Sequence, residues 1–191
     1  KPENVMVGEF GEVLVMDWGL AKKLNEKVEA PAELSSSSMM IRKTDFGGTL
    51  AGSVMGTPQY MSPEQAMGLV DELDARSDIF SLGGILYAIL TLRPPVEGTT
   101  LEEVLNKVRT GNIASPSAYG ATAGEGRSQS KGAVLEARKI TPLPHIEGGK
   151  VPVALSAVVM KALVLDKTRR YQSVAAFSTD IEAFQGGFAT T

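Results

Sequence analysis

The most apolar run of the chain, residues 79–92, sets the strongest limit on the fold. Two glycines and Ser81 interrupt it, and it falls short of the about 20 consecutive apolar residues that a bilayer span needs. Its apolar positions lie on most faces of a helix, which indicates a helix covered on nearly all sides. We predict this helix from Asp78 to about Thr91, with Ser77 as its N-cap and the following Pro-Pro pair as its stop.

Composition narrows the possible functions. The chain has 191 residues, is 43% hydrophobic and carries a formal charge of −3, which suits one domain with a sizeable core. Its basic residues are scattered, so we expect neither nucleic acid nor an anionic membrane as a partner, and no membrane segment. The absence of cysteine excludes disulfides, thiolate metal sites and cysteine nucleophiles. We expect no metal or catalytic role for the single histidine, His145.

Two short apolar segments surround a glycine-bounded turn near the start of the chain. Residues 5–7 and 13–16 are apolar, and the turn between them predicts a β-hairpin. Asn4 precedes the first strand and Asp17 follows the second, so the open end of the hairpin can bring their side chains together. An amide oxygen and a carboxylate are the hard oxygen ligands that Mg²⁺ requires.

Three further helices follow from local signals. A capping-box pattern at Thr100 opens an amphipathic surface helix that Gly111 ends. A second helix is predicted over residues 152–165. A third is predicted over residues 173–185, with Val174 among its inward positions.

Two stretches have the composition of loops. Residues 22 to about 54 are polar and contain four consecutive serines, which is typical of a mobile loop. The Gly/Ser/Ala-rich sequence at about residues 112–150 cannot bury enough apolar area to offset chain entropy, so we expect a disordered insertion there.

Several motifs, taken in order, resemble those of protein kinases. Lys-Pro-Glu-Asn at residues 1–4 resembles the end of the catalytic loop. Asp-Trp-Gly at residues 17–19 resembles the magnesium-binding tripeptide, with Trp18 in place of phenylalanine. We expect the larger ring of Trp18 to fill the spine position that phenylalanine normally holds. Asp-Phe-Gly at residues 45–47 spells the tripeptide literally, but no apolar strand precedes it, so we reject it as the metal site.

The remainder of the chain continues the same pattern. Residues 56–64 are similar to the substrate-docking loop and its closing tripeptide, here Ser-Pro-Glu. Residues 77–83 resemble the start of the central buried helix, and residues 161–171 resemble the late turn between helices. Lys1 and the Gly-Thr-Pro sequence favour the Ser/Thr branch, and residues 60–65 look like those of bacterial, Hanks-type members.

The resemblance implies an α+β fold, a mainly helical kinase C-terminal lobe with a short hairpin at its start and without the N-lobe. The glycine-rich loop, the strand lysine and the catalytic aspartate of such kinases would precede this sequence. The expected divisions are a partial kinase domain over residues 1–187, comprising a catalytic and metal hairpin at 1–21, an activation segment at 22–64 and a helical subdomain at 65–187, followed by a tail at 188–191.

The resemblance also implies roles for individual residues in ATP and metal binding. Lys1 would contact the γ-phosphate as a point charge, and Asn4 and Asp17 would bind Mg²⁺ and, through it, ATP. Thr57 would hydrogen-bond to Lys1 and to the catalytic aspartate. The implied substrate-docking wall consists of Gly56, Thr57, Pro58 and Tyr60.

Structural and regulatory roles are implied as well. Glu64 and Arg170 resemble the buried ion pair of the family, and its disruption should cost about 3–5 kcal/mol. Asp78 is expected to bind backbone amides of the catalytic loop. Candidate phosphorylation sites that could order the activation segment are Thr44, Thr49 and Ser53.

These roles predict that the parent protein transfers the γ-phosphate of MgATP to Ser or Thr hydroxyls of proteins in the cytoplasm, while this chain alone is inactive. A membrane anchor beyond Thr191 is compatible with that reading. The alternative is a catalytically dead, kinase-like interaction module, and the residue at the catalytic-aspartate position upstream would discriminate the two. A third reading, a helical domain unrelated to kinases, would require the ordered motifs to be accidental.

Overall fold

The computed structural model describes residues 1–18, 58–120 and 143–190. Its two strands are β1 (Val5–Val7) and β2 (Val13–Val15), and its α-helices are α1 (Pro63–Ala66), α2 (Ala75–Thr91), α3 (Leu101–Arg109), α4 (Val153–Ala162) and α5 (Val174–Gln185). Short 3₁₀ turns occupy Pro2–Asn4, Pro58–Tyr60, Val70–Glu72, Pro116–Ala118, Glu147–Gly149 and Lys167–Arg169. The predicted mainly helical α+β fold with an early hairpin is confirmed.

The hairpin forms in the expected register. β1 and β2 are antiparallel, with Val5 opposite Val15 and Val7 opposite Val13. Gly11 lies in the connecting turn with φ +86°, a conformation that glycine adopts without steric cost. Side chains on both faces of the hairpin are exposed, including Val7 at 71%.

Helix α2 is the centre of the core and packs closely on α4. Ile79, Phe80 and Tyr87 are fully buried along it. A Cβ atom added at Gly83 would stand 2.6 Å from the Cβ of Ala162, so glycine permits the approach of the two helices. The described residues contain no helix that is both long and apolar enough to cross a membrane.

The start of α2 differs from the prediction. The helix begins at Ala75, and its N-cap is Asp74, whose carboxylate accepts the Arg76 N–H at 2.8 Å. Ser77 lies inside the first turn and is buried, and its hydroxyl donates to Glu64 at 2.6 Å. The predicted Ser77 cap was wrong because this hydroxyl is used in a tertiary contact.

Helix α3 follows its predicted pattern, whereas the insertion was placed too widely. Thr100 accepts the backbone N–H of Glu103 at 3.2 Å and so caps α3. Residues 112–120 and 143–150, assigned to the disordered insertion, are folded. Their apolar side chains, Ile113, Tyr119, Leu143 and Ile146, pack against the core. The average composition of the segment did not reveal that these few apolar residues pack against the core. Residues 121–142 lie outside the described part of the chain.

The last two helices were predicted with small errors. Helix α4 ends at Ala162 rather than at about residue 165. Helix α5 begins after its predicted cap, Ser173, and ends at Gln185, with Gly186 as its C-cap. Val174 is 49% exposed and therefore does not point inward, because the first turn of α5 extends past the core and Phe177 is its first buried residue.

Candidate active site

The open end of the hairpin brings Asn4 and Asp17 together. The backbone N–H of Met16 donates to the Asn4 carbonyl at 2.8 Å, which extends the strand pairing to the residues that carry the site. The Asn4 side-chain amide then donates to the Asp17 carboxylate, with 3.3 Å between Nδ2 and Oδ2. The two predicted metal ligands are therefore neighbours, although 13 positions separate them in the sequence.

Asp17 has a left-handed backbone, with φ +60°. This conformation costs a non-glycine residue roughly 1 kcal/mol, and aspartate is among the residues that tolerate it best. It turns the chain at the end of β2. Trp18, the next residue, donates its indole N–H to the Val15 carbonyl at 2.9 Å.

Trp18 does not occupy a buried spine position among the described residues. Its side chain is 71% exposed, and the predicted spine position stays a prediction. The indole bond to the Val15 carbonyl folds the ring back along the hairpin, and the neighbouring strand residues are themselves exposed. The indole thus fixes the turn after β2 by a hydrogen bond and not by burial.

The predicted docking segment is described from Pro58 onward. Pro58 and Tyr60 are buried in a 3₁₀ turn, and the Ser81 hydroxyl of α2 donates to the Tyr60 carbonyl at 2.9 Å. Burial raises the pKa of Tyr60, and the negative charge of Glu3 raises it further. The charge of Glu3 therefore acts on the predicted docking turn. The side chains of Pro58 and Tyr60 are buried and therefore anchor the turn to the core.

Glu64 and Arg170 form a buried, bidentate ion pair. The two N–O distances are 2.8 and 2.9 Å, and the side chains are 3% and 0% exposed. Burial opposes ionisation of Glu64, but hydrogen bonds from Arg170 and Ser77 outweigh it and lower the pKa of the carboxyl to about 2. The pair joins the end of the predicted docking segment to the turn that precedes α5.

Every edge of the Arg170 guanidinium is used. Besides Glu64 it donates to the carbonyls of Val164, Leu165 and Arg76, at 2.7, 3.1 and 3.1 Å. Its central carbon lies 5.0 Å from the centroid of the Phe80 ring, within range of a cation–π contact. One side chain therefore ties α1, α2 and the segment after α4 to one another.

Several predicted site residues cannot be placed. Those that lie outside the described residues are Thr44, Thr49, Ser53, Gly56 and Thr57.

Lys1 is described and half-buried at the start of the turn that contains Asn4. Asp78 lies in the first turn of α2 with an exposed side chain, and no hydrogen bond within the described ranges joins it to residues 1–4. Its predicted positioning role stays a prediction.

Sequence reasoning missed one buried polar cluster. Tyr171 donates its hydroxyl to Asp180 at 2.7 Å, both side chains are buried, and burial followed by this hydrogen bond raises the pKa of Tyr171. Lys161 lies 4.4 Å from the Tyr171 ring centroid and 3.7 Å from the Asp180 carboxylate. The sequence signal for this cluster was the position of Asp180 among apolar residues of α5. That position indicates a buried carboxylate only when its hydrogen-bond partner, here Tyr171, is also known.

Comparison with protein-family models identifies residues 1–172 as a protein kinase domain. The chain belongs to the protein kinase family. This family in general carries out metal-dependent phosphoryl transfer from ATP to protein substrates. The kinase resemblance of the motifs is thereby confirmed.

Bacterial kinases are among the relatives of this chain. It is 34% identical over 187 residues to the serine/threonine-protein kinase PknD of Protochlamydia amoebophila and 34% identical over 187 residues to a probable serine/threonine-protein kinase of Streptomyces coelicolor. It is 30% identical over 187 residues to the probable serine/threonine-protein kinase PknB of Bifidobacterium longum. Each match covers 98% of this chain but only 16, 21 and 20% of the respective relative. The predicted kinship with bacterial, Hanks-type kinases is confirmed.

Proposed function

We propose that this chain provides the metal-binding hairpin and the substrate-facing segment of a Ser/Thr protein kinase. The parent protein would transfer the γ-phosphate of MgATP to Ser or Thr hydroxyls of protein substrates. The observation that carries the proposal is the contact between Asn4 and Asp17, 3.3 Å apart at the open end of the hairpin, in a chain of the kinase family. The relatives, each named a serine/threonine-protein kinase, support the choice of acceptor.

The chemistry of the two side chains fits Mg²⁺. Mg²⁺ is usually held by one or two carboxylates together with substrate phosphates and several waters. A single protein carboxylate with one amide therefore suffices, and the described residues contain no larger His, Cys, Asp or Glu group that would favour another metal. Rotation of the Asn4 amide would present its oxygen in place of the nitrogen that now donates to Asp17.

The bound metal would neutralise the charge that develops on the phosphates. Asp17 would contribute the anionic ligand, held in place by its left-handed backbone and by the turn that Trp18 fixes. Lys1, at the start of the same turn as Asn4, would place a cation beside the γ-phosphate. Phosphoryl transfer depends on alignment of the phosphate and on electrostatic stabilisation of its charge. Residues at these positions would contribute to both.

The docking segment would hold the acceptor protein. Gly56 and Thr57 would form the wall next to the acceptor residue, with Pro58 and Tyr60 as the buried support beneath it. The ion pair of Glu64 with Arg170 anchors the end of this segment. The hairpin at 1–21 and the activation segment at 22–64 remain our proposed divisions, and the candidate phosphorylation sites in the latter remain predictions.

A kinase that consumes MgATP is expected in the cytoplasm, where ATP is made. A membrane anchor following Thr191 in the parent protein is a separate expectation. It would be tested by the sequence that follows this residue in the gene.

The test is phosphate incorporation by the product of the gene, extended upstream of Lys1, with MgATP and a generic protein substrate. Asp17→Asn preserves side-chain shape and removes the charge, so incorporation should fall by at least a hundredfold. Glu9→Gln removes a carboxylate from the exposed hairpin turn and serves as the matched control, with unchanged activity. Incorporation that is insensitive to Asp17→Asn, or an upstream sequence without the catalytic aspartate, would favour the interaction-module alternative.

A further inference from the structure

Two serines of α2 hold the segment that leads from the predicted docking turn, Pro58–Tyr60, to α1. The Ser81 hydroxyl donates to the Tyr60 carbonyl at 2.9 Å. The Ser77 hydroxyl donates to the Glu64 carboxylate at 2.6 Å. The two serines are one helical turn apart and therefore lie on the same face of α2. Their acceptors follow in the reverse order along the chain, so α2 holds this segment at two successive points.

The bond from Ser81 differs from the bond from Ser77 in what it fixes. Glu64 also accepts two hydrogen bonds from Arg170, so Ser77 adds to an anchor that exists without it. Ser81 instead binds a main-chain carbonyl of the turn itself. Because the peptide unit is planar, a fixed Tyr60 carbonyl also fixes the direction in which the chain continues to Met61.

Packing against Gly84 holds the same residue a second time. Gly84 follows Ser81 on the same face of α2, and a Cβ atom added to it would stand 3.1 Å from Cδ1 of the Tyr60 ring. The ring therefore lies directly on the helix backbone, and Tyr60 is only 8% exposed. The carbonyl and the ring of Tyr60 both face α2, so the turn can rotate only if both contacts are lost.

We propose that Ser81 is a positioning residue for the protein substrate, and this inference rests on the proposed function. Ser81 would act through the Tyr60 carbonyl, which sets the orientation of the predicted docking turn, and would not touch the acceptor protein itself. The hydrogen bond is partly buried, so water can replace the hydroxyl when Ser81 is changed to alanine. The fold should then persist while the turn loses its fixed direction.

A residue that orients the docking turn should affect binding of the acceptor protein and not the chemical step. Loss of an interaction that is equally strong before and during the reaction raises KM and leaves kcat unchanged. The Asn4–Asp17 contact lies on the hairpin, and no hydrogen bond among the described residues joins it to Ser81. Binding of MgATP should therefore not depend on the Ser81 hydroxyl.

The test is steady-state kinetics of the gene product extended upstream of Lys1, with MgATP and casein as the acceptor protein. Ser81→Ala should raise the KM for casein about threefold to tenfold, the effect of one lost hydrogen bond. The kcat and the KM for MgATP should stay within about twofold. Ser81→Thr keeps the hydroxyl and should restore the KM for casein. The matched control is Ser178→Ala, which removes a hydroxyl that bonds to Glu182 within α5 and should leave all three constants unchanged.

Hydrogen exchange of the same proteins, followed by mass spectrometry, tests the anchoring without catalysis. Peptides that cover residues 59–62 should exchange at least about threefold faster in Ser81→Ala, whereas peptides from α4 should exchange as in the wild type. Circular dichroism of each variant confirms folding.

The outcomes separate this inference from the proposed function. An active wild type whose KM for casein is unchanged by Ser81→Ala would overturn the inference and leave the proposed function intact. Unchanged exchange at residues 59–62 would also overturn it, as would a Ser81→Thr variant that behaves like Ser81→Ala in both assays. A wild type that incorporates no phosphate would refute the proposed function and, with it, the substrate role of Ser81.

Discussion

Removal of the Arg170 side chain should destabilise this chain more than almost any other single change. Arg170→Met keeps an apolar stem but leaves Glu64 buried with Ser77 as its one hydrogen-bonding side chain among the described residues. Stranding one member of a buried ion pair costs about 3–5 kcal/mol. That is a large part of the about 5–15 kcal/mol that stabilises a typical domain.

The pKa of Glu64 gives a second estimate of the same size. A carboxyl whose pKa falls from its usual 4.5 to about 2 on folding contributes about 3 kcal/mol at neutral pH. Because the folded pKa is the lower one, this contribution is complete above about pH 4.5 and is lost as the pH falls through about 2. The stability difference between wild type and Arg170→Met should therefore shrink in acid.

Urea unfolding followed by far-UV circular dichroism measures both effects. We expect the free energy of unfolding to fall by about 3–5 kcal/mol at neutral pH and the gap to narrow near pH 3. Arg169→Met, a change at the neighbouring exposed arginine, should cost less than about 0.5 kcal/mol. Glu64→Gln combined with Arg170→Met should cost less than the sum of the single changes. A gap below about 1 kcal/mol, or one independent of pH, would refute the reasoning.

Three further changes test the helical core, each by thermal unfolding. Gly83→Ala sets a methyl group against Ala162, 2.6 Å away, and should cost about 1–3 kcal/mol; an unchanged Tm would mean that α2 and α4 separate easily. Tyr171→Phe removes the hydroxyl that donates to the buried Asp180 and should cost about 1–3 kcal/mol; wild-type stability would show that water replaces the hydroxyl. Thr100→Ala removes the cap of α3 and should cost about 1 kcal/mol, whereas no loss would mean that the cap contributes nothing.

The start of a helix was predicted correctly where the sequence offered a single capping residue. The Thr100 cap of α3 and the Ser173 cap of α5 were read correctly because each precedes a clear apolar pattern. At α2 two capping residues, Asp74 and Ser77, stand one turn apart, and their local sequence does not distinguish them. Asp74 is the cap because the hydroxyl of Ser77 donates its hydrogen bond to Glu64, a residue 13 positions away in the sequence.

The site was predictable to the extent that it depends on a hairpin. Strand pairing alone brings Asn4 to Asp17, so their proximity followed from the sequence. The carbonyl partners of Arg170 and the burial of Asp180 depend on how helices pack, which no local pattern records. The packing of Trp18 was not predictable for a related reason, since a substitution in a motif shows the change in size but not which surface receives the ring.

The hairpin and the helical core differ in what holds them together, and this difference bears on the site. A two-stranded hairpin is marginally stable on its own, and both faces of this one are exposed, with Phe10 at 92% and Leu14 at 60%. The core around α2 is fixed by fully buried side chains and by Arg170. Asn4 and Asp17 therefore lie on the part of the described chain with the lowest local stability. If Asn4 and Asp17 bind metal as proposed, any contact that covers the hairpin would strengthen that binding without touching either residue, because less ordering would remain for the metal to impose.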